Sequence, residues 1–191
     1  GQEAEDAFTS REVYERFREN LFVMAELARK IRARREARGA IDFDLDEARI
    51  ILGDDGKPID VHRRERGEGE RMIEDFMLAA NEAVAEWAEA LNLPFLYRVH
   101  EPPDPDKMRG FFEFLANLGY VVRVRPGGVT PKQLQAVHEK ARGEPEEMVV
   151  STLLLRSMQR ARYAAENHGH FGLAATHYTH FTAPIRRYPD L

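Results

Sequence analysis

The sequence predicts a mixed α+β fold, rich in helix and built as one unit over residues 1–191. Three observations predict it. Two long apolar stripes of helical period occupy the first half, short alternating segments bounded by turn residues follow each of them, and further capped helical runs fill the second half. A chain of 191 residues can bury one full core, and its 43% hydrophobic and 32% charged residues are those of an ordinary globular domain. No apolar run approaches the length of a membrane span, so no membrane partner is expected. The absence of cysteine excludes disulfides and thiolate metal sites. With no signal-peptide pattern before the first helix, the cytoplasm is the expected compartment. A formal charge of −5 argues against non-specific coating of nucleic acid, yet leaves room for a recessed basic site.

Thr9-Ser10-Arg11-Glu12 reads as a capping box, after which Val13, Phe17, Leu21, Met24, Ala28 and Ile31 recur at helical spacing. This predicts a long amphipathic helix closed at Gly39. The arginines of its last turns, Arg32, Arg34, Arg35 and Arg38, read as a solvated, dipole-favoured helix end in preference to an RNA-binding patch. Ile41, Phe43 and Leu45 alternate with Asp42, Asp44 and Asp46, the period of a strand with one acidic face. A calcium loop is rejected there, because Glu47 and Gly53 stand where the turn glycine and the bidentate glutamate belong. Ala48 to Leu52, the Gly53-Asp54-Asp55-Gly56 turn and Ile59 to His62 predict a hairpin.

A second helix is expected from Gly69, with Ile73, Phe76, Met77, Ala80, Val84, Trp87 and Leu91 as its core face. Glu74 and Asn81 flank that stripe and, by periodicity alone, are ordinary surface residues. Phe95 to His100 reads as a strand. Asp104-Pro105 opens a helix with Met108, Phe111, Leu115 and Leu118 inside, and Tyr120 to Val124 reads as a short strand. Thr130-Pro131 opens the next helix. A last one is expected to bury Met148, Thr152, Leu155 and Met158.

Chemistry is densest at the end of the chain. Pro184 and Pro189 stiffen a loop that carries Arg186 and Arg187, and such a loop presents a fork-shaped, always charged guanidinium to a carboxylate or phosphate. His168, His170, His177 and His180 match no compact zinc template, so no metal ligand is assigned among them; hydrogen bonding, or facing a polynucleotide, is the reading preferred.

The run His170-Phe171-Gly172-Leu173, four residues, then Tyr178-Thr179-His180-Phe181-Thr182-Ala183-Pro184-Ile185-Arg186-Arg187-Tyr188-Pro189-Asp190 resembles the signature of the ribonuclease II/ribonuclease R (RNB) catalytic domain. Arg38 to Phe43, Met72 to Asn81 and Leu153 to Met158 resemble other segments of that family, so the resemblance covers nearly the whole chain. The ending Arg186-Arg187-Tyr188-Pro189-Asp190-Leu191 is closer to the ribonuclease R branch.

The resemblance implies a processive, hydrolytic 3′-to-5′ exoribonuclease that degrades single-stranded RNA to nucleoside 5′-monophosphates with Mg2+. It also implies that Arg186 contacts the scissile phosphate as the catalytic arginine, and that Glu74 is substrate-binding, helping to hold the 3′-terminal nucleotide. The family's metal-binding aspartates lie upstream of the segments matched here, and no such cluster stands in residues 1–40. Asp42, Asp44 and Asp46 match a different segment. The chain begins without Met and stops just after the motif, so it is expected to be the C-terminal portion of a catalytic domain, incomplete at both ends. Its expected partners are RNA, the aspartate-bearing upstream part, and terminal S1-type RNA-binding domains of the same monomeric enzyme. Alone, the chain is expected to be inactive. Ala183 replaces the more usual serine. The rival readings are a non-catalytic RNA-binding or scaffold protein with the same fold, and a histidine metal-binding domain.

Overall fold

The computed structural model describes residues 2–43, 47–64, 66–122, 128–183, 186, 187 and 189, with side chains of the first helix from Glu15 onward. The expected strand residue Leu45 and Asp44 and Asp46 lie outside the described residues, as do Pro184 and Ile185. Among the described residues, five α-helices and four short strands follow one another as α1 (Gln2–Arg38), β1 (Glu47–Leu52), β2 (Pro58–Arg64), α2 (Glu68–Ala90), β3 (Tyr97–Val99), α3 (Pro105–Asn117), α4 (Pro131–Ala141), α5 (Glu147–Ser157) and β4 (Arg162–Ala164). This is the helix-rich α+β arrangement that the periodicities predict.

Helix α1 begins upstream of Thr9, so the expected capping box lies inside it. The residues before it, rich in glutamate and alanine, are strong helix formers and carry the helix through. Its end corrects a second expectation in part: Arg34 and Arg38 are exposed as expected, but Arg32 and Arg35 are drawn inward. Asp75 of α2 is buried and receives Arg32 Nε at 2.9 Å and Arg35 Nη2 at 3.1 Å, while Arg38 forks onto Glu82 with two 2.8 Å bonds. A buried carboxylate with two guanidinium partners is tolerable; with one removed it is costly.

The apolar stripe assigned to the core on α2 is also corrected. Ile73, Trp87 and Leu91 are exposed, whereas Asp75, Leu78, Asn81, Ala85 and Ala88 are buried. Small residues let neighbouring backbone approach closely on that face, and each of its two polar side chains has a partner. In α5 the expectation holds in part: Met158 is buried as expected, but Val150, Ser151, Leu154 and Ser157 form the inward face, while Met148 (73% exposed) and Leu155 (45%) point out.

The main core joins α3, α4 and α5 through Met108, Phe111, Leu115, Leu134, Val137, Ala141, Val150 and Leu154. Leu118, expected in it, is exposed. The helix starts follow their capping chemistry. Asp104 Oδ1 accepts from the N–H groups of Asp106 (2.9 Å) and Lys107 (3.1 Å) ahead of α3, and Thr130 and Gln133 bond reciprocally ahead of α4.

β1 and β2 form the expected antiparallel hairpin, closed where Gly53 N–H donates to Lys57 O at 2.8 Å. Ile41 to Phe43 is not strand; instead Ile41 is buried and its N–H donates to Gly172 O at 3.0 Å. Tyr120 to Val122 is likewise unpaired, with Tyr120 packed in the core. β3 pairs antiparallel with β4, a strand too short to show any period.

Candidate functional site

The terminal motif is built onto the free edge of β3. Arg98 N–H donates to Tyr178 O at 2.9 Å, and the buried Thr179 hydroxyl donates to Leu96 O at 2.9 Å. Upstream, His100 N–H donates to Gly169 O and Phe171 N–H to His100 O, so the start of the motif continues the same edge. His170 then caps a single 3-10 turn, Phe171–Leu173, its Nδ1 accepting from Leu173 N–H at 3.3 Å. His100 Nδ1 accepts from Gly172 N–H at 3.1 Å, and a Cβ on Gly172 would meet that ring nitrogen at 3.0 Å. The close approach is why glycine stands there.

Both imidazoles are therefore acceptors toward backbone N–H groups and must be neutral on that nitrogen. Their rings stand edge to face 4.9 Å apart, and His170 meets the Tyr178 ring at 5.0 Å. Burial, then the neighbouring His100, holds His170 down to about 3; burial also lowers His100. These two histidines are structural joints. Of the others, His177 Nε2 lies 2.8 Å from Glu89 and His168 lies 3.6 Å from Glu166. Among the described residues no three His, Asp or Glu side chains converge as metal ligands.

The arginine pair divides. Arg187 turns back on its own loop, donating to Phe181 O and, at 3.0 Å, to the Thr182 hydroxyl. Thr182 adopts φ +57°, a left-handed conformation that this grip stabilises. Arg186 is exposed, and its backbone N–H donates to Ala183 O at 3.0 Å, closing a tight turn.

Helix α2 docks on the motif through Leu78, packed with Ala175 and Tyr178, and through Asn81, whose Nδ2 donates to Tyr178 Oη at 3.2 Å. Glu74 lies one turn before Leu78 on this same face, by the i, i+4, i+7 spacing of Glu74, Leu78 and Asn81. It is half-buried and 3.3 Å from Arg66, which also approaches Asp42 at 3.8 Å. Arg186 and Glu74 share no hydrogen bond or ion pair among the described residues: Glu74 pairs with Arg66, and the Arg186 backbone N–H donates to Ala183 O. Neither the pairing of Arg66 with Asp42 and Glu74 nor that of Asn81 with Tyr178 was foreseen. The pairings of Arg66 with Asp42 and of Asn81 with Tyr178 cross long sequence separations and leave no periodic signal. The carboxylates of Asp42 and Glu74 are arranged around a guanidinium, so the described residues do not fit a divalent cation there.

The RNB domain profile matches residues 2–191. Ribonuclease R 1 of Lactococcus lactis is 53% identical over 180 residues, which cover 94% of this chain and 22% of that protein. Among solved structures, Mycoplasma genitalium RNase R in complex with ribose methylated single-stranded RNA superposes with a TM-score of 0.84 at 32% identity, over 89% of this chain and 27% of that one. The same protein in complex with double-stranded RNA gives a TM-score of 0.83 at 32% identity, over 89% and 30%. The chain thus spans about a quarter of the length of the relatives it matches.

Proposed function

From the premise that this chain belongs to the RNB domain family, we propose that it is the C-terminal portion of the catalytic domain of a hydrolytic 3′-to-5′ exoribonuclease of the ribonuclease R kind. The observation that carries the reading is the division of labour at the terminal loop. Arg187 is tied inward to Phe181 and Thr182, leaving Arg186 exposed at the head of a closed turn.

Hydrolysis of a phosphodiester develops negative charge on the equatorial oxygens of the scissile phosphate. A guanidinium held there before reaction stabilises that charge without reorganising. In the proposed enzyme Arg186 does this, and the rigid attachment of its loop to β3 supplies the pre-organisation. Glu74, on the α2 face that packs against the loop, accepts hydrogen bonds from the 3′-terminal nucleotide. Arg66 holds its carboxylate in place meanwhile.

The proposal includes a divalent metal requirement met by Mg2+, which would supply charge neutralisation at the phosphate. Since the described residues offer no group of three metal ligands, no step is assigned through it. Single-stranded RNA as substrate, a monomeric enzyme and a cytoplasmic setting belong to the same proposal. The RNA complexes of the Mycoplasma genitalium relative and the absence of cysteine support the first and last. Among the described residues no helix is long and apolar enough to cross a membrane.

In the longer enzyme, Arg186→Ala should lower single-turnover cleavage on the order of 10²–10³-fold or more while leaving most RNA affinity, which rests on many phosphate contacts. Unchanged single-turnover cleavage would remove Arg186 from the chemistry and with it this reading.

A further inference from the structure

A second concentration of positive charge lies where β3, β4, α3 and the end of α5 meet. There a cavity of about 710 Å3 is walled by Lys107, Arg156, Arg160 and Arg162, with Glu101 the one carboxylate and the buried Met158 among the lining residues. None of these residues belongs to the terminal loop or to α2.

Structural roles account for only part of this set. Arg162 bonds Glu101 at 2.7 Å, and that contact lowers the Glu101 carboxyl below its usual range. Arg156 sits in the last turn of α5, where the helix dipole favours a cation. Neither explanation covers Lys107 or Arg160. With Arg162 paired to Glu101, Lys107, Arg156 and Arg160 leave the concavity with an excess of positive charge, an arrangement that an anion relieves. The chain carries −5 overall, so a local excess of cations such as this one stands against the net charge of the molecule. Three arginines supply planar forks that match phosphate oxygens, and the lysine adds a point charge. The volume lies within the roughly 300–1,000 Å3 of ligand pockets, room for a nucleotide unit of a strand.

We propose that this cavity binds the phosphodiester backbone of single-stranded RNA, as a contact of the substrate strand away from the terminal loop. The proposal rests on the reading of the chain as part of an RNA-degrading enzyme. The nuclease reading is decided by cleavage in the Arg186→Ala enzyme, which the following binding experiment does not measure.

Fluorescence anisotropy of a labelled single-stranded oligoribonucleotide with the 191-residue chain tests it. Each lost phosphate contact should cost on the order of fivefold in affinity at 0.1 M salt. The Arg156→Gln/Arg160→Gln double variant should therefore bind about 25-fold more weakly, with its log–log salt slope reduced by about 1.4. Glu101→Gln frees Arg162 and should tighten binding about fivefold, a gain that misfolding cannot produce. The proposal is overturned if the wild-type chain binds no RNA, or if all variants bind it with wild-type affinity and slope. It is overturned equally if polyglutamate competes as well as RNA, which would make the cavity a dock for an acidic protein segment. Displacement of the RNA only by inorganic phosphate far above the oligonucleotide's own phosphate concentration supports a strand site; equal competition phosphate for phosphate overturns it.

Discussion

Arg186 and Arg187 are adjacent and chemically alike, yet one guanidinium is exposed while the other is fixed to Phe181 O and the Thr182 hydroxyl. On the role proposed for Arg186, Arg187 is a positioning residue. Its replacement by alanine in the longer enzyme should reduce kcat on the order of 10²-fold, the cost of a displaced catalytic group, with KM little changed. Lysine should restore little of it, lacking the fork; a KM effect without a kcat effect would refute the role. Asp75 carries a different kind of weight, being buried between Arg32 and Arg35. Asp75→Ala strands two guanidinium groups and should cost about 3–5 kcal/mol in urea unfolding. The roles proposed for Arg186 and Glu74 come only from the family motif, since periodicity alone makes Glu74 a surface residue. Arg66, which holds Glu74, carried no sequence signal at all.

At the scale of elements, the joint between β3 and the terminal motif is sensitive to acid. His170, held down to about 3, binds no proton in the folded state where an unfolded histidine, near 6.5, does. Stability therefore falls as pH drops through the window from about 6.5 to about 3, by up to roughly 1.4 kcal/mol per pH unit for one such group, and is restored above it. His170→Gln should flatten this part of the pH–stability profile, as read by urea unfolding at pH 7 and 4.5; an unchanged slope would exclude His170 as its source. Gly39 fixes another joint. It holds φ +104°, and a Cβ there would lie 2.7 Å from Lys132 N at the start of α4. Gly39→Ala should destabilise by about 1–3 kcal/mol in the same assay.

Capping chemistry made the starts of α3 and α4 readable, because Asp104-Pro105 and Thr130-Pro131 act locally. Apolar periodicity misplaced part of the inward faces of α2 and α5, namely Ile73, Trp87 and Leu91 of the first and Met148 and Leu155 of the second. Those faces are chosen by distant partners, Tyr178 for Asn81 and the α3–α4 core for Val150 and Leu154, and not by the helix itself.

For the whole molecule, the helix-rich mixed α/β class and the family were legible, because a signature of that length specifies its surroundings. The tie between Ile41 and Gly172 was not, since it depends on backbone groups that any sequence supplies. The purified chain should release no mononucleotides from single-stranded RNA in Mg2+, because no acidic metal cluster is found among its described residues. Detection of 5′-mononucleotides in that digest would overturn this.

The outward stripe of α2 has an optical consequence. Trp87 is the chain's one tryptophan, 59% exposed, on the side of the helix opposite Leu78 and Asn81. Its indole emission should be red-shifted and open to iodide quenching in the free chain. Ligands at Arg186 or in the basic cavity should leave the spectrum unchanged. A protein surface that covers Ile73, Trp87 and Leu91 should shift it to the blue, so one native fluorophore separates assembly from RNA binding.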